Sequence, residues 1–135
     1  ADVCYPIVEK SLNDYKYPGF QRTYVRMKDG VFTGGNIVYV NPKVIRTCAE
    51  FARKVIAYRK KPWKISRLLG IRFLLMLFAG MLSISYVEDR IWQLLGIRAA
   101  AIISPFPELA NDVDKYSDLE MIYKYFLNDN TGKAV

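Results

Sequence analysis

The stretch RTYVRMKDGVFTGGNIVYV, residues 22–40, constrains the fold more than any other. Thr23, Val25 and Met27 alternate with Tyr24, Arg26 and Lys28, and Asp29-Gly30 is a strong two-residue turn signal, so the stretch predicts a β-hairpin. Its second strand is interrupted in the middle by Gly34 and Gly35. Glycine costs backbone entropy in a strand, and a pair of them marks either a bulge or a place where something approaches the main chain closely.

The rest of the pattern surrounds this hairpin with both strands and helices. Residues 1–8 (ADVCYPIV) alternate as a short core strand, with Pro6 expected at a strand end or an edge, and residues 11–20 read as a loop. Asn41 and Pro42 supply a cap and a first-turn proline for a helix to about Tyr58, with Val44, Ile45, Cys48, Phe51, Ala52, Val55 and Ile56 as its inward stripe. Pro62 opens a short helix ending near Gly70, residues 71–79 read as a buried helix, and 86–95 are helical again. Residues 97–104 suit a fully buried strand, and Ser117 with Glu120 forms a capping box for a last helix with Leu119, Ile122, Tyr123 and Phe126 inward. This order predicts an α/β or α+β layered domain with a mixed sheet over residues 1–127, and a frayed tail at 128–135.

Composition narrows the chemistry. The net charge of +7 favours an anionic partner. Histidine is absent, which removes Ser-His and Cys-His nucleophile pairs and leaves carboxylates as ligands for a hard metal ion. Cys4 and Cys48 follow no paired pattern and read as buried thiols in a reducing cytoplasm. Residues 71–87 would reach only about 25 Å as a helix and carry Arg72, Gly80, Ser83 and Ser85, so a buried helix pair is expected there rather than a bilayer span.

Two constellations could carry a site. Thr33, Gly34, Gly35 and Asn36 offer backbone amides with a hydroxyl and a carboxamide beside them, although a structural bulge would also explain the glycines. In NDVDKYSDLE, residues 111–120, Asp112 and Asp114 stand two apart, so in an extended loop only one of them faces a given ion, and turn or cap duties are the alternative. The run Arg53, Lys54, Arg59, Lys60, Lys61, Lys64 and Arg67 is either a phosphate or nucleic-acid patch or a solvated helix face.

In RTYVRMKDGVFTGGNIVYVNPKV, RKKPWKISRLLG and EDRIWQLLGIRAAAIISPFPELANDVDKYSDLE, taken in that order, the chain resembles the C-terminal half of a MobA-like nucleotidyltransferase over most of residues 2–126. The resemblance implies a partial Rossmann-like three-layer α/β/α fold and transfer of a nucleoside monophosphate from an NTP to a phosphorylated or hydroxyl acceptor, with Mg2+ and release of pyrophosphate. It implies Asp114 as a metal ligand and Thr33 to Asn36 as the acceptor side of the cleft. Arg22, Arg26 and Lys64 are assigned as phosphate contacts from charge and position.

The family's Gly-rich NTP-binding loop has no counterpart here: there is no LAGG-like loop, no GxGxxG and no P-loop. The N-terminal nucleotide-binding half is therefore expected to be missing here, the chain being either a fragment of a longer nucleotidyltransferase or a half whose partner is a separate polypeptide; the parent is expected to be an enzyme, and this chain alone is expected to be inactive and able to self-associate. Neither nucleic acid nor a membrane is an expected partner. The competing classes are a basic binding module for nucleic acid or another polyanion, and a membrane-surface protein using residues 71–87 with their basic neighbours.

Overall fold

A computed structural model describes residues 1–112 and 116–132. The elements run β1 (Val3–Glu9), α1 (Lys10–Lys16), β2 (Val25–Met27), β3 (Gly30–Gly34), β4 (Tyr39–Val40), α2 (Ile45–Tyr58), α3 (Pro62–Leu69), α4 (Ile71–Phe78), α5 (Ile84–Leu95), β5 (Ala99–Ile103) and α6 (Tyr116–Gly132). Short 3-10 turns at Pro42–Val44 and Pro107–Ala110 precede α2 and follow β5. The fold is mixed α/β, and its five-stranded sheet is itself mixed.

Strand β1 is the hub of that sheet. On one side it pairs in parallel with β5, from Val3 opposite Ala99 to Ile7 opposite Ile103. On the other it pairs antiparallel with two strands end to end: β3 opposite Ile7–Glu9 and β4 opposite Val3 and Cys4. Pro6 therefore lies in a central strand, not at an edge. It is accommodated because it stands opposite the gap between β3 and β4, where the missing N–H deprives no ladder partner on that side.

The hairpin forms with its turn one residue earlier than expected. Met27 pairs with Gly30, so Lys28 and Asp29 are the turn residues, and Gly30 takes a φ of 145° that favours glycine. The Asp29 carboxylate then accepts from the Ile84 amide at 2.7 Å, tying the hairpin to the start of α5. Local signals hold elsewhere: the Asn41 side chain accepts from the Lys43 amide, and Gly70 follows α3. Ser83 caps α5 through the Tyr86 amide, and Gly96 closes that helix in the left-handed conformation.

Burial departs from the sequence pattern. Among the described residues the buried apolar side chains are Ile7, Val8, Phe20, Phe32, Leu82, Ile97 and Ala110, with Ile7, Val8 and Phe32 where β1 meets β3 and Ile97 beside the other end of β1. The expected inward stripe of α2 is only half covered, with Ile45, Ala52 and Ile56 exposed. Helix α4 has no buried residue, β5 exposes Ile102 and Ile103, and α6 exposes Leu119, Tyr123 and Phe126. Apolar periodicity marks which residues share a face, but not whether anything covers that face. Ser117 lies within α6 rather than ahead of it, and the helix runs on to Gly132, past the start of the expected tail.

The predicted loop at 11–20 begins instead as helix α1. Its one buried residue is polar, which is why no apolar stripe betrayed it. Asn13, fully buried, donates to the Tyr24 hydroxyl at 2.8 Å and accepts from the Asn111 amide group at 3.0 Å, while that group also donates to the Pro107 carbonyl. A second tie joins the same parts at the surface, where Glu108 accepts from Lys16 and from the Tyr17 hydroxyl. Burial alone would raise the Glu108 pKa, but bonds from Lys16, its own backbone and Tyr17 outweigh it and hold the carboxyl below its ordinary value.

Two outcomes follow. Asn13→Ala leaves Tyr24 and Asn111 without their buried partner and is expected to cost about 1–3 kcal/mol in urea denaturation; a neutral result would show that the network contributes nothing. Because the folded pKa of Glu108 is depressed, its contribution is present above the unfolded carboxyl pKa and is lost as pH falls through the folded one. Glu108→Gln should therefore flatten the acid limb of a Tm-against-pH curve, and an unchanged limb would count against the linkage.

Candidate functional site

The glycine pair breaks one strand into two. Gly34 pairs with Ile7, yet five residues on Tyr39 pairs with Cys4, only three back along β1, so two residues are looped out between β3 and β4. Neither Gly34 nor Gly35 has a positive φ, so space rather than backbone conformation demands glycine. Tyr5 lies on the face of the sheet that Ile7 and Gly34 share, and its ring reaches over Gly34: a Cβ there would overlap the tyrosine hydroxyl and stand 2.8 Å from Cζ. At Gly35 a Cβ would meet the Pro6 ring at 2.9 Å and its carbonyl at 3.1 Å. What approaches the main chain so closely is β1 itself.

The amides at the break are already engaged, contrary to the expectation that they stand open. Gly35 donates to the Pro6 carbonyl and Asn36 to the Leu109 carbonyl, each at 2.8 Å. Binding capacity at this place therefore rests on side chains. A cleft of about 390 Å³ opens beside the break, lined by Tyr5, Gln21, Arg22, Thr23 and Thr33 to Asn36.

Arg22 is the one charged residue in that lining. Its Nη2 reaches the Gly34 carbonyl at 3.5 Å, while its Nε is buried and makes no hydrogen bond. An unpaired buried donor on a guanidinium costs free energy unless something supplies an acceptor. Arg22 also lines the cleft, where the fork of an arginine matches the phosphate, carboxylate or hydroxyl oxygens of a ligand. Thr33 is buried and Asn36 is exposed, so the cleft grades from a buried hydroxyl to an exposed carboxamide.

The structure thus brings together Arg22, Thr33, Gly34, Gly35 and Asn36, and adds Tyr5, Gln21 and Thr23, which the sequence had not singled out. Their signal lies in strand register: Tyr5 is recognisable only once β1 is paired with β3. Two other candidates lie elsewhere. Arg26 packs beside Gly80, and Lys64 lines a separate hollow of about 330 Å³ with Lys54, Tyr58, Arg67 and Leu68, its ammonium 5.2 Å from the Tyr58 ring centre. Asp114 lies outside the described residues, and Asp112 is exposed. Among the described residues no three acidic or cysteine side chains form a group that could hold a metal ion.

No model of a known protein family and no curated protein matches the sequence. A solved structure described as a hypothetical transferase from Thermus thermophilus is 41% identical and superposes with a TM-score of 0.78. The likeness covers 88% of this chain and 52% of the other, so the chain spans about half the length of that structure.

The two glycines should differ in tolerance. Gly34→Ala is relieved by swinging the half-exposed Tyr5 ring, whereas Gly35→Ala meets a proline ring and a backbone carbonyl and should cost about 1–3 kcal/mol. Chemical denaturation checks the order, and a Gly34→Ala loss equal to or above that of Gly35→Ala would refute it.

Proposed function

We propose that this chain supplies the acceptor-binding part of a transferase, and that the group transferred is a nucleotidyl group. Support for the coarser statement comes from its similarity to the hypothetical transferase of Thermus thermophilus. The finer one rests on the resemblance of the TGGN and DVDK segments to MobA-like nucleotidyltransferases, with the NTP bound by polypeptide outside this sequence. The single observation that carries the assignment of the cleft is Arg22, the one charged side chain lining a polar hollow at the TGGN strand break, which keeps a buried donor, Nε, unpaired.

In this reading the acceptor lies along Thr33 to Asn36 with a phosphate or hydroxyl on Arg22. One acceptor oxygen attacks the α-phosphorus of the NTP, the new P–O bond forms as the bond to the β-phosphate breaks, and pyrophosphate leaves. The contribution of the cleft is orientation: a fixed acceptor oxygen turns a two-body encounter into a positioned one. Magnesium, which Asp114 would help hold, would neutralise phosphate charge.

The test is calorimetric titration with sugar phosphates and alcohol phosphates, alongside a pyrophosphate-release assay with the four NTPs on the longer polypeptide. Arg22→Ala should weaken phosphorylated-acceptor binding by roughly 10- to 100-fold, the worth of a charge-assisted hydrogen bond, with Arg22→Lys falling between. If Arg22→Ala binds every such acceptor as tightly as the unaltered chain, the cleft is not the acceptor site.

A further inference from the structure

From Phe51 to Val87 the chain contains no acidic residue and eight basic ones, the seven of the basic run and Arg72, which together exceed the whole net charge of +7. The same stretch takes in the end of α2 and all of α3 and α4, with α3 packed between the other two. Within it the large exposed apolar side chains are Ile56, Trp63, Ile71, Leu75, Phe78 and Met81. Ile71, Leu75 and Phe78 follow one another at helical spacing as one stripe of α4, and Phe78 is 85% exposed. The opposite side of α4 is the packed one, where Phe73 stacks on Tyr86.

We propose that this face docks on the surface of an anionic lipid bilayer, with the α4 stripe and Trp63 entering the headgroup boundary and the lysines and arginines meeting lipid phosphates. Helix α4 itself carries only Arg72, and the lysines and the other arginines come from α2, α3 and the turn between them; an apolar stripe flanked by such cations suits a membrane interface. Positive φ angles at Gly70 and Gly80 end α3 and α4 after eight residues each, about 12 Å of helix, so each lies on a membrane and none crosses it. Among the described residues no helix is long and apolar enough to span.

Charge decides between occupants. Four of the eight basic residues are lysine, which is depleted where proteins bury surface against one another, and the phosphate contacts that supply most nucleic-acid affinity leave the Ile71-Leu75-Phe78 stripe unused. A lipid surface uses both features at once. This proposal departs from the expectation that no membrane is involved, and it does not depend on the cleft at the strand break.

The test is co-sedimentation of the chain with sucrose-loaded vesicles of phosphatidylcholine alone and of phosphatidylcholine with phosphatidylserine, with circular dichroism confirming that each variant folds. Expected are binding to the serine-containing vesicles, weakening in high salt, and a loss of roughly tenfold or more for Leu75→Gln and for Phe78→Gln. Lys60→Glu with Lys61→Glu should weaken binding further, roughly fivefold or more per residue. No binding to either vesicle overturns the proposal, as does binding that both glutamine variants retain, which would be adsorption by charge alone. Self-association in sedimentation equilibrium that Phe78→Gln abolishes, with no vesicle binding, would assign the face to a second copy instead.

Discussion

One strand, hydrogen-bonded to three others, holds this molecule together. Strand β1 is the parallel partner of β5 and the antiparallel partner of both β3 and β4, and Val8 within it is fully buried. Without β1 the hairpin and the later α/β part would share no sheet. Parallel pairs normally form where both faces are covered, yet β5 here exposes Ile102 and Ile103. At its outer edge the Ala101 amide is satisfied by the Glu88 carboxylate from α5, so a side chain takes up part of the hydrogen bonding that a further strand would supply.

What was legible in the sequence was what neighbours along the chain decide. The hairpin, the Asn41-Pro42 helix start and the Gly70 stop depend on local backbone preferences, and they stand where they were expected, the turn displaced by one residue. Helix α1 was not legible because its anchor is Asn13, whose partners lie 11 and 98 positions away. An apolar stripe announces itself in a sequence, but a buried amide network does so only after the chain has folded. The exposed faces of α2, α4 and α6 illustrate the converse: periodicity identifies a face, and only tertiary contact buries it.

The cleft divides in the same way. Glycines inside a strand pointed to the right place, but the cause differs from the first expectation: the amides of Gly35 and Asn36 serve the fold, and the binding capacity falls to Arg22 and the side chains around it. Arg22, Thr33 and Asn36 were named in advance; Tyr5, Gln21 and Thr23 needed the register. Arg26 and Lys64 were chosen for charge, and charge carries no position, so the fold placed them apart.

The gap between β3 and β4 adds two residues, an even number. Side chains along a strand alternate between faces, so an even insertion leaves the alternation in phase on the two sides of the break. Phe32 and Gly34 before it, and Val40 after it, all belong to the face that β1 presents through Val3, Ile7 and Glu9. Pairing with β1 sets the face that each strand presents, so Val40 stays on the face of Val3 whatever the number of residues between Gly34 and Tyr39. The break can therefore change length while the sheet keeps its faces, and the cleft beside it can change shape without disturbing the strands that carry it.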